Sequence, residues 1–206
     1  MIAYALPDSL VWGGKTASAD LSFDVVLRLF ELETDDRFDD ISRTELSLEM
    51  LVRNYPVFSD LPLTDKVELL NTIKRDFILQ GKKGGDGDGK KVFDWQQDAP
   101  YIFSSFMLEY GIDLVEERGR LDWRKFISLF SGLSDRAKIK EIIAIRARKI
   151  PARNEHNGEE IDALMEAKAY YALTLTGEEK REQFQQGLND LAGILLNRAE
   201  GQHGQE

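Results

Sequence analysis

The chain has 206 residues and a formal net charge of −10, with 42% hydrophobic and 31% charged residues and no cysteine. That length suits one domain with appended segments and burial of roughly 70% of the unfolded chain's surface. The negative balance argues against nucleic acid held by a general positive field, and the missing cysteine excludes disulfides, thiolate zinc sites and cysteine nucleophiles.

The opening MIAYALPDSLVW lacks the basic start and apolar run of a secretory leader. No apolar run approaches the roughly 20 residues that cross a bilayer, so the expected address is the cytoplasm with no membrane partner. Charge is uneven along the chain. Residues 31–40 hold six acids and one Arg, whereas residues 136–153 hold seven Lys or Arg and a single Glu, Glu141. Such a dipolar chain suits contact with another protein or with copies of itself.

Residues 4–20 predict a β-hairpin: Leu10, Val11 and Trp12 favour a strand, Gly13-Gly14 supplies a turn, and Thr16 to Ala19 return. A first helix follows, with Ser22 as N-cap and Phe23, Val26, Leu27 and Phe30 at i, i+3, i+4 and i+7. A second helix is expected at 43–54, with Leu48, Leu51, Val52 and Tyr55 as its stripe and Pro56 as its stop. A third is capped by Thr64 and carries Val67, Leu70, Ile73 and Phe77. Residues 81–91 (GKKGGDGDGKK) contain no apolar side chain and read as a flexible linker.

Three helices form the next part. One starts at Asp98 or Ala99, carries Phe103, Phe106, Met107 and Tyr110, and stops at Gly111. One starts at Asp122 with Trp123, Phe126, Ile127 and Phe130, and closes at Gly132. One takes Ser134 as N-cap, turns Ile139, Ile142 and Ile143 inward and ends before Pro151. A seventh is expected at 159–173. At 178–198, Phe184, Leu188, Leu191 and Leu195 keep a 4-3-4 spacing, a short heptad-like seam. The expected organisation is thus 1–80, the linker 81–91, an aromatic helical core at 92–175, and a C-terminal helix with a frayed tail at 176–206. The fold class is mainly α, an N-terminal β-hairpin followed by about seven or eight helices in a compact bundle.

Motifs that suggest chemistry are incomplete. Gly13-Gly14-Lys15-Thr16 imitates a phosphate loop, but the motif's first Gly is Ser9 and a hairpin turn is expected there. Asp86-Gly87-Asp88-Gly89-Lys90 imitates the start of a calcium loop, but it places a cation at the fifth ligand position and Gln97 at the twelfth. His156 and His203 lack partners at metal or triad spacing. No acid stands isolated in an apolar stripe, so neither a catalytic group nor a cofactor or metal site is expected. The partner-binding candidates are the seam Phe184, Leu188, Leu191 and Leu195, and the basic helix end Arg146, Arg148 and Lys149, with Arg153 beyond it.

The runs Tyr110-Gly111-Ile112-Asp113-Leu114, Leu121-Asp122-Trp123-Arg124-Lys125-Phe126 and Leu129-Phe130-Ser131-Gly132-Leu133-Ser134 carry a resemblance. They resemble the "gene product fifteen" family of tailed bacteriophages and prophages. The hairpin with its Leu21-Ser22-Phe23-Asp24 helix start, and the run Ala167 to Leu173, are also similar to that family. The likeness spans about residues 5–175 and is densest from Tyr101 to Ile150. It implies a non-enzymatic tail assembly chaperone of long-tailed phages. Such a protein binds the tape-measure protein, helps tail-tube subunits polymerise around it, and is absent from the mature virion. The alternative is a structural virion subunit, a tail-completion or head–tail connector protein.

Overall fold

In the computed structural model, residues 4–79, 91–154 and 156–174 are described. Two compact units divide the chain, residues 1–148 and 149–206. The linker is thereby outside the described residues except for Lys91, as are the calcium-like run, the seam and His203.

The first unit opens with strands β1 (Ser9–Trp12) and β2 (Lys15–Ser18), paired antiparallel with Trp12 opposite Lys15. Gly13 and Gly14 take φ of +55° and +76°. Two successive positive φ angles make the turn whose twist matches the strands, and glycine holds them without a Cβ penalty. The phosphate-loop look-alike is therefore a hairpin turn, and its Lys15 Nζ donates to the Val57 carbonyl at 3.1 Å. The hairpin is stitched to the chain beyond the second helix. Ser18 N–H donates to Asn54 Oδ1 at 3.0 Å, Asn54 Nδ2 donates to the Thr16 carbonyl at 2.8 Å, and Ala19 bridges Val52.

Helix α1 (Phe23–Glu33) buries Phe23, Val25, Val26, Leu29 and Leu32. The expected stripe named Leu27 and Phe30, which lie half-buried at its margin. Ser22 occupies the cap position, but its hydroxyl bonds Asp20 rather than the helix. Helix α2 (Asp40–Leu51) begins three residues before the expected start, because Asp39 Oδ1 accepts from Ser42 N–H at 2.7 Å. It stops at Leu51, where Val52 turns extended to meet Ala19. Pro56 falls in a separate 3₁₀ turn, Tyr55–Val57. Leu48, Leu51, Val52 and Tyr55 are all buried as their spacing predicts.

Helix α3 (Leu63–Ile73) is capped at Pro62, not Thr64, whose hydroxyl bonds Asp65. Val67 is exposed, and Leu69 takes its place in the core. The chain runs on as a π-helical stretch, Lys74–Leu79, that buries Phe77 and Ile78. Helix α4 (Ala99–Tyr110) ends on Gly111 at φ +66°, the left-handed residue that closes a helix. Helix α5 (Trp123–Gly132) is capped by Asp122, which accepts from Arg124 N–H at 2.8 Å. Helix α6 (Lys138–Ala147) is capped at Ala137; Ser134, the expected cap, gives its N–H and hydroxyl to Glu109 instead. Ile139 and Ile142 are buried and Ile143 is half-buried.

One apolar core runs from Ala17 of the hairpin to Ile139 of α6, so residues on both sides of the linker share it. Phe126 is its hub. Its ring stacks on Phe23 at 4.9 Å and on Phe106 at 5.1 Å, and meets Trp95 and Trp123 at 5.7 Å each. Aromatic pairs in this range contribute roughly 0.5–1.5 kcal/mol beyond area burial. Trp123 satisfies its indole N–H on the Ile78 carbonyl at 3.2 Å. Backbone bonds from Phe23 N–H to Leu121 O and from Trp123 N–H to Leu21 O tie the starts of α1 and α5 together.

In the second unit, α7 (Gly158–Tyr170) buries Ile161 and Leu164 and leaves Met165 exposed. Arg153 pairs with Asp162 at 2.8 Å. The described residues form seven α-helices behind one two-stranded hairpin, the mainly α class the sequence predicts.

Candidate partner-binding cleft

The flank of α1 at the margin of the core carries Asp24, Leu27, Arg28 and Glu31, again at i, i+3, i+4 and i+7. Opposite stand Ala99, Pro100 and Phe103 from the first turns of α4, and Leu114, Val115 and Arg118 from the segment after it. Between them opens a cleft of about 740 Å³, floored by Phe23, Trp95, Ile102 and Phe126. Such a volume lies inside the roughly 300–1,000 Å³ range of small-molecule and cofactor pockets. The floor is thus the edge of the aromatic core, and the rim is charged.

Each rim charge has a distinct setting. Asp24 accepts from Gly119 N–H at 2.8 Å and pairs with Arg28 at 3.2 Å. The Arg28 side chain is largely exposed, so that pair contributes little to stability. Arg118 and Glu31 are exposed. No group of three or more His, Asp or Glu that could hold a metal ion occurs among the described residues.

Three other polar clusters are structural. Glu45 accepts from Lys66 at 2.6 Å and from the Tyr55 hydroxyl, joining α2, α3 and the 3₁₀ turn. The Lys66 ammonium, and then the Tyr55 hydroxyl, hold the Glu45 carboxyl below its ordinary value, while burial pushes the Tyr55 phenol up. Burial works to raise Asp122, but the Arg124 guanidinium and backbone N–H outweigh it and bring that carboxyl below its ordinary value. Arg124 also donates to the Pro7 carbonyl at 2.7 Å, fixing the segment before β1.

The third cluster joins two residues that the sequence reading treats separately. Asp98 is 1% exposed, a buried acid that the sequence reading does not foresee. It accepts from Arg146 at 2.6 and 2.8 Å and from Asp94 N–H at 2.9 Å. Arg146, read in the sequence as part of an exposed basic docking patch, instead lies inside the fold, and it also donates to the Val92 carbonyl at 3.2 Å. The signal available was an acid just ahead of Ala99-Pro100 and the first Arg of the basic end of an isoleucine-rich helix. Spacing alone does not pair residues so far apart in the chain.

Arg148 is exposed at the C-cap of α6, and Lys149 begins the second unit. Phe184, Leu188, Leu191 and Leu195 lie outside the described residues. His156 sits exposed in a loop, where its backbone N–H donates to Asn154 Oδ1 at 2.9 Å. The cleft was missed in the sequence because its α4 wall belongs to a stripe read as core, and its α1 wall is polar enough to pass for a solvated face.

The architecture is that of a mainly α protein with an N-terminal hairpin and an apolar cleft open to solvent. The chain matches the family described as Bacteriophage Gp15 protein over residues 5–173, and it belongs to that family. It is accordingly a bacteriophage structural or morphogenesis protein. No curated protein and no solved structure matches it.

Proposed function

We propose that this protein is a tail assembly chaperone that binds the tape-measure protein during tail morphogenesis in the host cytoplasm. It works by binding rather than by catalysis, and it leaves before the virion is complete. The observation that carries this reading is the cleft: a phage assembly protein presents an apolar floor at its surface, framed by two helices and charged at the rim. Covering such a floor stabilises a complex by about 25 cal/mol per Å² of apolar surface removed from water. The 184–195 seam is proposed as a second contact with the client, and the tail-tube protein as a further partner.

Co-expression with the tape-measure protein of the same phage, then affinity capture and sizing, tests the reading. The expected result is soluble tape-measure protein eluting with several copies of this chain, and a loss of that recovery in L188D/L191D. Tape-measure protein that stays insoluble, together with this chain in purified particles, would instead identify a structural virion subunit.

A further inference from the structure

We propose that the cleft takes two turns of an amphipathic helix in one direction only, with the guest's acidic N-terminal turn against Arg28 and Arg118 and its basic C-terminal turn against Glu31. The inference rests on the chaperone reading for the identity of the guest alone.

The form of the guest follows from backbone chemistry. The walls are helices and a loop, and neither strand of the hairpin lines the cleft. An extended peptide would find no sheet edge there, and its N–H and C=O groups would be buried unpaired on an apolar floor, a costly arrangement. A helix satisfies its own backbone and presents one apolar stripe. The α1 wall runs from Asp24 to Glu31, so it matches a guest stripe of about 10 Å at 1.5 Å per residue.

The direction follows from charge. Gly119 N–H on Asp24 places Arg118 beside the first turn of α1. The Asp24 carboxylate is already engaged there by Gly119 N–H and Arg28, so two guanidinium groups outweigh it at that end. Two turns along, Glu31 leaves the opposite end negative. A guest with acids at its N-terminus and cations at its C-terminus meets both ends favourably, and the same order suits its own helix dipole.

The test uses the full-length chain and two fluorescein-labelled peptides with the same leucine stripe, followed by fluorescence anisotropy. One carries Glu in its first turn and Lys in its last; the other carries Gln at all of these positions. A central lactam bridge holds both helical, as checked by circular dichroism, so helix content does not decide the outcome. The charged peptide is expected to bind about tenfold more tightly, the scale of a few rim charge pairs, and a nitroxide on its N-terminal residue is expected to broaden the backbone amide signal of Gly119 rather than that of Glu31. R28E/R118E is expected to remove the preference, and L27E to abolish binding of both. R118E alone, at an exposed position, keeps the test decisive should L27E lower the melting temperature. Equal affinities, no binding of either peptide, or indifference to L27E and R118E would overturn the proposal. Co-expression with the tape-measure protein separates the two readings. Solubilised tape-measure protein with undiscriminated peptides sinks the directed cleft and leaves the chaperone. Discriminated peptides with insoluble tape-measure protein sink the client and leave the cleft.

Discussion

Replacing Arg146 by Met should unfold the protein far more readily than any loss of a surface cation. Met keeps most of the side-chain length but removes the guanidinium that gives Asp98 two hydrogen bonds at 2.6 and 2.8 Å. The remaining carboxylate is 1% exposed, with only the Asp94 N–H still donating to it among the described residues. A buried ion left without its partner costs about 3–5 kcal/mol, and the Val92 carbonyl, also deserted, adds about 1 kcal/mol. D98N should cost less, about 1.5–3 kcal/mol, because the amide keeps an acceptor for Asp94 N–H. The double variant D98N/R146M should fall short of the sum of the two by at least about 2 kcal/mol, since the uncompensated charge is gone. Guanidinium unfolding at neutral pH, followed by the fluorescence of the three tryptophans, reads all three variants. An R146M cost below about 1 kcal/mol with an unchanged denaturant slope would show that water already screens the pair, and the structural assignment of Arg146 would fail. Loss of client binding in an R146M protein of undiminished stability would return Arg146 to the docking surface.

Phe126→Ala should cost about 3–5 kcal/mol in the same unfolding assay, because its ring is the shared contact of the aromatic core; a loss under about 1 kcal/mol would contradict that position. Gly111→Ala should cost about 1 kcal/mol through its positive φ alone, since a Cβ there meets open space; a rise in melting temperature would count against the left-handed cap. Glu45→Gln should flatten the acid side of the stability–pH curve. The Glu45 carboxyl is depressed in the fold, so its contribution is present above the ordinary value of 4.5 and is lost as pH falls through the lowered value. Melting temperatures of wild type and E45Q below pH 4.5 check this, and parallel curves would show that Glu45 is not coupled to folding.

Helices with a clean apolar period could be read from the chain because periodicity reports the local backbone. Trp123, Phe126 and Phe130 fall buried on α5 where their spacing puts them, and Gly13-Gly14 turn where two positive φ angles are needed. Helix starts were harder. Ser22, Thr64 and Ser134 have the right chemistry for caps, yet each hydroxyl found a closer partner in Asp20, Asp65 or Glu109. Asp39 caps from within an acidic run that reads as loop. The buried face of α1 takes in Val25 and Leu29 where Leu27 and Phe30 are expected, and α3 keeps Leu70, Ile73 and Phe77 but buries Leu69 in place of Val67, because what each helix packs on, rather than its own hydropathy, selects the side chains. The cleft and the Asp98–Arg146 pair join segments distant in sequence, and the composition of either segment alone does not announce its partner.

The backbone exchange between the starts of α1 and α5, and the bond from Arg124 to the Pro7 carbonyl 117 residues away, bear on how the protein is made. At roughly 5–20 residues per second, a ribosome needs several seconds to deliver the second half of that handshake after the first has emerged. During that interval the hairpin and α1 to α3 wait with Phe23, Val26 and Leu29 facing an unfinished interior. Closure therefore comes late and all at once, with the entropic cost of a long loop met in the same step that buries the aromatic hub. A chain ending before α5 lacks Trp123 and Phe126, so it leaves Phe23, Val26 and Leu29 without the partners that bury them in the full protein.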